Sequence, residues 1–255
     1  MKIRSGIELA NLTDVGLQRE NNEDYYGYWE SDSDEEFERK GRLAIIADGM
    51  GGHEGGEEAS HLAVETVRQA YRDSDGSPQH ALRVGFQLAN EQILQHARDH
   101  AELSGMGTTC TAVALTDSQL CYAHIGDSRL YLLRDGVLTR MTNDHSRVGQ
   151  LVAAGIIHAE DAENHPDRHI LSKAMGVEGD FEPEISEEPI PLLTGDILLL
   201  CTDGLWSLLT DEDLLDTLQH LSATDACREL VRRAKERGAP DNITLQVLKM
   251  DGATN

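Results

Sequence analysis

The chain has 255 residues, 39% hydrophobic and 27% charged, which suits a soluble globular protein with ample material for a core. Asp and Glu number 46 against 22 Lys and Arg, a formal charge of −24. Such a field repels nucleic-acid phosphates and anionic membrane surfaces, and favours basic partners or bound cations.

In chain order, the first marked feature is an acidic stretch from Glu30 to Glu38, which reads as a solvated hairpin loop between two strand-like segments. Leu43 to Ala47 is a continuous apolar strand ending in Asp48-Gly49. Ala59, Leu62, Ala63, Thr66, Val67 and Ala70 recur at helical spacing. Ser77 and Pro78 form an N-cap and first-turn pair for a second helix, with Leu82, Gly85, Phe86, Ala89, Ile93 and Ala97 on one face. Strands follow at Thr109–Leu115, Leu120–Ile125 and Leu130–Leu133, with Asp135-Gly136 as a hairpin turn before Val137-Leu138. Residues from about Asp144 to Met175 are polar, His-rich and helical in pattern, and read as an inserted subdomain. Ile197–Cys201 is another apolar strand, ending at Thr202-Asp203-Gly204. A helix carrying Ala226, Cys227, Leu230, Val231 and Ala234 and a last strand, Ile243–Leu248, close the series. Clustered strands with paired helices between them predict an α+β layered fold, sheets packed together and helices outside, rather than a doubly wound parallel sheet.

Cys110, Cys121, Cys201 and Cys227 form no Cys-x-x-Cys pair, and three of them lie in apolar runs as small buried hydrophobes. A reducing, cytoplasmic setting fits them. Met1 to Ala10 has no apolar signal core, and no stretch approaches the roughly 18 apolar residues of a membrane span.

Asp48 and Asp203 share a context: each ends an apolar run and precedes glycine. A carboxylate at the end of a buried strand is partly desolvated, and must be neutralised, paired or metal-bound. A lone Asp-Gly is more often a turn, as at Asp135-Gly136. Two at strand ends, with Glu23-Asp24 and Asp241-Asn242 at other strand boundaries, point instead to carboxylates converging around cations. Oxygen-only ligands select hard ions such as Mg²⁺ or Mn²⁺. His53 and His61 have no helical i, i+4 partner, and His158, His165 and His169 fall in the insert, so no zinc pattern emerges. There is no Gly-x-x-x-x-Gly-Lys loop and no Gly-x-Ser-x-Gly elbow.

Seven segments, in order, resemble the metal-dependent protein phosphatases of the protein phosphatase 2C family in their compact bacterial form. They are 14–24 (DVGLQRENNED), 47–57 (ADGMGGHEGGE), 105–109 (GMGTT), 125–129 (IGDSR), 144–146 (DHS), 202–206 (TDGLW) and 241–244 (DNIT). The resemblance implies a four-layer α-β-β-α sandwich, two antiparallel sheets flanked by helix pairs, as a single phosphatase domain over 1–255 with a flap at about 145–175. It implies two Mn²⁺ or Mg²⁺ ions bridged by Asp48, with the Gly49 carbonyl on one and Asp203 and Asp241 on the other. Glu23 and Asp24 act mainly through metal-bound waters, Asp127 shares a weaker third ion with Asp203, and Arg19 clamps the phosphate. Phosphoserine and phosphothreonine are then hydrolysed by direct attack of a metal-bridging hydroxide. Animal members carry a proposed general-acid His directly after the bridging Asp-Gly. Met50 stands there in this chain, leaving His53 or a metal-bound water as the candidate.

The resemblance further implies a cytoplasmic monomer acting on phosphorylated proteins and opposing a eukaryotic-like Ser/Thr kinase, with neither nucleic acid nor membrane as partner. The competing reading is a pseudophosphatase serving as a scaffold. Retention of Asp24, Asp48, Asp203 and Asp241 favours activity.

Overall fold

Successive side chains of a strand point to opposite faces, so an unbroken apolar run needs cover on both sides. Leu43, Ile45 and Ala47 enter one core, among helices, while Ala44 and Ile46 enter another, between two sheets. Ile197, Leu199 and Cys201 likewise face helices, and Leu198 and Leu200 face the opposing sheet. These alternations place every layer of the fold. The computed structural model describes residues 4–51, 54–116, 118–158, 161, 165–167, 170–179 and 181–251.

The first sheet runs in the order β1 (Ile7–Asp14), β12 (Ile243–Met250), β11 (Ile197–Cys201), β7 (Arg129–Arg134) and β8 (Val137–Arg140). The second runs β10 (Ile190–Pro191), β6 (Gln119–Ile125), β5 (Cys110–Thr116), β3 (Arg42–Met50) and β2 (Asp24–Glu30), with β4 (Gly107–Thr108) on β3 and β9 (Glu184–Ile185) on β6. All pairings are antiparallel. Helices α2 (Glu54–Asp73) and α3 (Pro78–Asp99) cover the second sheet with Val64, Val67, Leu82, Phe86 and Ile93. Helices α5 (Asp211–His220) and α6 (Ala223–Glu236) cover the first with Leu214, Leu218, Leu230 and Val231. The expected four-layer α-β-β-α sandwich is present.

Local signals hold where expected. The Ser77 side chain accepts from the His80 N–H, with Pro78 in the first turn of α3. Asp135 (φ 50°) and Gly136 (φ 78°) both take left-handed backbone, the geometry of a two-residue hairpin turn between β7 and β8. All four cysteines are buried free thiols.

One expectation needs correction. The acidic stretch is not simply a loop: Asp34–Lys40 forms α1, capped by Ser33, whose side chain accepts from the Glu36 N–H. Asp34, Glu35 and Glu36 occupy the first turn and Arg39 and Lys40 the last, the arrangement that the helix dipole favours. Phe37 lies between the guanidinium groups of Arg4 and Arg42, each 4.7 Å from the ring centre. Within 144–175, Arg147–Ala153 forms α4 and Asp161 is helical, while residues 159–160, 162–164 and 168–169 of the expected insert lie outside the described residues. It returns to the sheet where Met175 and Thr108 exchange N–H···O bonds of 2.9 and 3.1 Å.

Leu198 is fully buried between the sheets. Leu198→Ala should lower unfolding stability by about 3 kcal/mol through lost burial and the cavity left behind. Urea titration should show a lower midpoint at unchanged slope.

Candidate metal centre

The same two-residue period carries the inter-sheet positions from the core into polar ground. After Ala44 and Ile46 the next inward residue is Asp48; after Leu198 and Leu200 it is Thr202; back from Leu248 come Gln246 and Thr244. In the β2–β3 ladder Asp24 lies directly opposite Asp48. Directly opposed like charges destabilise a sheet. One oxygen of Asp24, Oδ2, accepts from the Thr202 hydroxyl at 2.9 Å. The other, Oδ1, is buried with no hydrogen-bond partner.

This crowding raises proton affinity. Burial, only partly offset by the nearby Thr244 and Thr202 side chains, lifts Asp24 to about 7, with the charges of Asp203 and Asp241 adding to the rise. Asp48 is raised well above the usual carboxylate range, first by burial and then by Asp24, Asp203, Asp127 and Asp241. Asp127 is raised likewise, by burial and then by Asp203 and Asp144, against the pull of Arg129.

The sandwich seam opens here into a cleft of about 630 Å³. Arg19, Glu23, Asp48, Gly49, Asp127, Asp203 and Asp241 all line it. Asp24 stands behind Asp48 in the second sheet and is itself 6% exposed. The candidate general acid His53 lies outside the described residues, while Met50 is on the cleft wall. Among the described residues, no three His, Cys, Asp or Glu side chains already stand as a closed ligand cluster; the carboxylates face one space from separate segments.

Main-chain contacts hold these residues. The Asp48 N–H donates to the Thr109 hydroxyl oxygen at 3.0 Å, and the Asp48 carbonyl accepts from the Thr109 N–H and the Thr108 hydroxyl, both at 2.9 Å. The Gly49 N–H donates to the Glu23 carbonyl at 3.1 Å. A Cβ on Gly49 would fall 2.1 Å from the Gly56 carbonyl oxygen, and one on Gly204 would fall 1.9 Å from that of Asn242. The glycines after Asp48 and Asp203 therefore serve close backbone packing, not turns and not merely approach to a ligand.

Several supports went unassigned in the sequence, although they sit inside the motifs. The Asn242 amide donates to the carbonyls of Val15 (3.0 Å) and Asn21 (2.9 Å), and its oxygen accepts from the Glu23 N–H (2.9 Å). It thereby brackets the loop that carries Arg19, whose guanidinium donates to Asp241 at 2.8 Å. The Asp127 carbonyl accepts from the Trp206 indole at 2.9 Å. Arg129 stacks 3.5 Å from the Trp206 ring centre and grips both oxygens of Asp144, at 3.0 and 2.7 Å. His145 clasps Gly126 from both sides: its Nδ1 accepts from the Gly126 N–H (3.2 Å) and its own N–H donates to the Gly126 carbonyl (2.7 Å).

A cleft edged with aspartates and an arginine, at the seam of an α-β-β-α sandwich, suits hydrolysis of a phosphate ester. Comparison with known proteins agrees. Residues 18–244 match the family described as protein phosphatase 2C. The protein phosphatase PhpP of Streptococcus pneumoniae is 36% identical over 251 residues, spanning 96% of this chain and 98% of that one. The crystal structure of the Mycobacterium tuberculosis serine/threonine phosphatase PstP/Ppp superposes with a TM-score of 0.85 at 36% identity, covering 96% of this chain and 99% of that one. The catalytic domain of PstP, solved in complex with two manganese ions, gives a TM-score of 0.83 at 34% identity, covering 96% and 99%. Fold and site thus define a serine/threonine protein phosphatase. The chain belongs to the protein phosphatase 2C family.

One buried group beside the site makes a testable prediction. The His124 ring faces the Asn143 carbonyl through Nε2 (3.1 Å) and the Thr111 hydroxyl through Nδ1 (2.9 Å). The carbonyl only accepts, so Nε2 carries the proton and Nδ1 accepts from Thr111. Burial, then the nearby His145, holds the His124 pKa down from 6.5 to about 3. Between those values the unfolded chain binds a proton that the folded chain refuses. The stability of the neutral ring is therefore present above pH 6.5 and lost as pH falls towards 3, at up to ~1.4 kcal/mol per pH unit. His124→Gln should flatten the acid limb of urea stability between pH 6.5 and 4.5; an unchanged slope contradicts the buried neutral ring.

Proposed function

We propose that the cleft would hold two divalent cations, Mn²⁺ or Mg²⁺, with Asp48 as a ligand to both. Asp203 and Asp241 would serve one ion and the Gly49 carbonyl the other, while Glu23 and Asp24 would act through water. Asp127 and Asp203 would hold a third, weaker ion. The observation that carries this reading is the opposition of Asp24 and Asp48, with Asp24 Oδ1 buried and unpartnered. A buried carboxylate directly opposed by a second, half-buried one calls for neutralisation, and a purely oxygen donor set suits hard cations. When bound, the ions neutralise these charges and supply Lewis-acid activation of water and phosphoryl oxygen.

The chain's own residues do the rest. Arg19 stands half-exposed on the cleft wall, aimed by Asp241, where its planar fork binds phosphoryl oxygens. Departure of the serine or threonine alkoxide requires a proton. The Met50 thioether has none to give, which leaves His53 or a metal-bound water as the candidate donor.

Residues 1–255 act as one phosphatase domain, and about 145–175 form a flap bordering the cleft. The substrates are phosphorylated proteins, including a Ser/Thr kinase that the enzyme opposes, and the enzyme works as a cytoplasmic monomer. Four buried free thiols support a reducing compartment. Among the described residues no helix is long and apolar enough to cross a membrane.

Asp48→Asn or Asp203→Asn should lower kcat on a phosphothreonine peptide more than about 100-fold in manganese and weaken manganese binding by calorimetry, with the circular-dichroism spectrum unchanged. Near-normal turnover in either variant removes the ion assignment. Arg19→Ala should raise KM for the same peptide about tenfold while manganese affinity changes less; an unaltered KM counts against the phosphate clamp.

A further inference from the structure

Lys173 is a cleft cation that the phosphate chemistry leaves unused. It lies near the end of the proposed flap, and with Arg19 it supplies the positive charge among the described residues lining the cleft. Its ammonium is loosely held. The Glu182 carbonyl lies 3.4 Å away and the Glu182 carboxylate, 86% exposed, lies 3.9 Å away. An ammonium has three donors, and an exposed pair at this distance is weak, so an incoming anion displaces it readily.

The backbone beneath Lys173 is firmly placed. The Ser172 N–H donates to the His145 carbonyl at 2.8 Å, and the Lys173 N–H reaches the same oxygen at 3.4 Å. Two residues on, Met175 pairs in both directions with Thr108, whose hydroxyl donates to the Asp48 carbonyl. This chain of hydrogen bonds registers Lys173 against Asp48. A charge at a set offset from the phosphate site reads a set neighbour of the phosphorylated residue. The other titratable groups on these walls, Arg19 apart, are carboxylates, and the whole chain carries −24, so anionic substrate flanks are repelled everywhere except beside such a cation.

We infer that Lys173 forms an anion subsite beside the phosphate site, taking an acidic side chain or a second phosphate from residues flanking the phosphoserine or phosphothreonine. The inference rests on the phosphatase reading of the cleft and deepens it to substrate selection.

The test is steady-state kinetics with manganese on three phosphothreonine peptides that differ only in their flanks: neutral, aspartate-containing, or carrying a second phosphothreonine. The wild-type protein should favour an anionic peptide over the neutral one by about fivefold in kcat/KM, expressed in KM. Lys173→Gln should bring that ratio to about one, Lys173→Glu should invert it, and Lys173→Arg should keep it. A gain confined to the aspartate peptide, or to the doubly phosphorylated one, supports the subsite and identifies its ligand. A ratio unchanged in both the Gln and Glu variants overturns the inference. So does a wild-type protein that favours neither anionic peptide, a result that needs no variant to fold. Failure to hydrolyse even the neutral peptide instead overturns the phosphatase reading, and the subsite with it.

Discussion

The opposition of Asp24 and Asp48 across one rung of the β2–β3 ladder is the constraint around which this end of the molecule is arranged. Two carboxylates at that separation, Asp24 buried and Asp48 half-buried on the cleft wall, cannot both hold charge without compensation. The surroundings supply only part of it. Thr202 reaches Asp24 from the other sheet, so the repelling pair is tied to both halves of the sandwich. The polar ends of β3, β11 and β12 meet at this spot because the strands keep a common alternation through the apolar core behind it. Core and site are one periodic pattern, apolar at one end and ionic at the other.

Around that pair the protein relies on backbone more than on side chains. Asp48 is gripped through its own N–H and carbonyl, Gly49 and Gly204 let main chain lie against main chain, and Asn242 ties three loop positions together. Such supports leave the carboxylates facing the cleft while their attachment points stay put. The Arg129–Trp206 stack extends the scheme by bracing Asp127 through its carbonyl and leaving its carboxylate unengaged by that bond. A site meant to collect cations gains from this separation of holding and binding groups.

Much of this was legible from residues alone. Leu43–Ala47 and Ile197–Cys201 read as strands because both faces are covered, which leaves no polar interruption to confuse the pattern. Asp48 and Asp203 stood out because a charge ending such a run is rare. Two helices were not legible as such. Asp34–Lys40 offers almost no apolar periodicity and takes its anchor from Phe37, held by Arg42 just past the helix and by Arg4 far back in the chain. Asp211–His220 was passed over despite a Thr210–Asp213 capping box, a local signal sufficient to mark its start. The burial of Asp24 behind Asp48 depends on strand register, which composition does not reveal. The purpose of Gly49 and Gly204 depends on which backbones pass nearby, again a three-dimensional fact.

The pairing of the first and last strands has a practical corollary. Ile7 lies beside Met250, and Asp14 beside Ile243, so the two strands run together from a far edge to the catalytic end. Seven residue steps at strand rise put that far edge about 24 Å from the Asp14 end. Polypeptide attached before β1 or after β12 therefore leaves the body side by side, on the edge remote from the cleft. An affinity tag or a fused domain at either position keeps the entrance clear, and a short linker joining the two would permit new ends to be opened elsewhere in the chain.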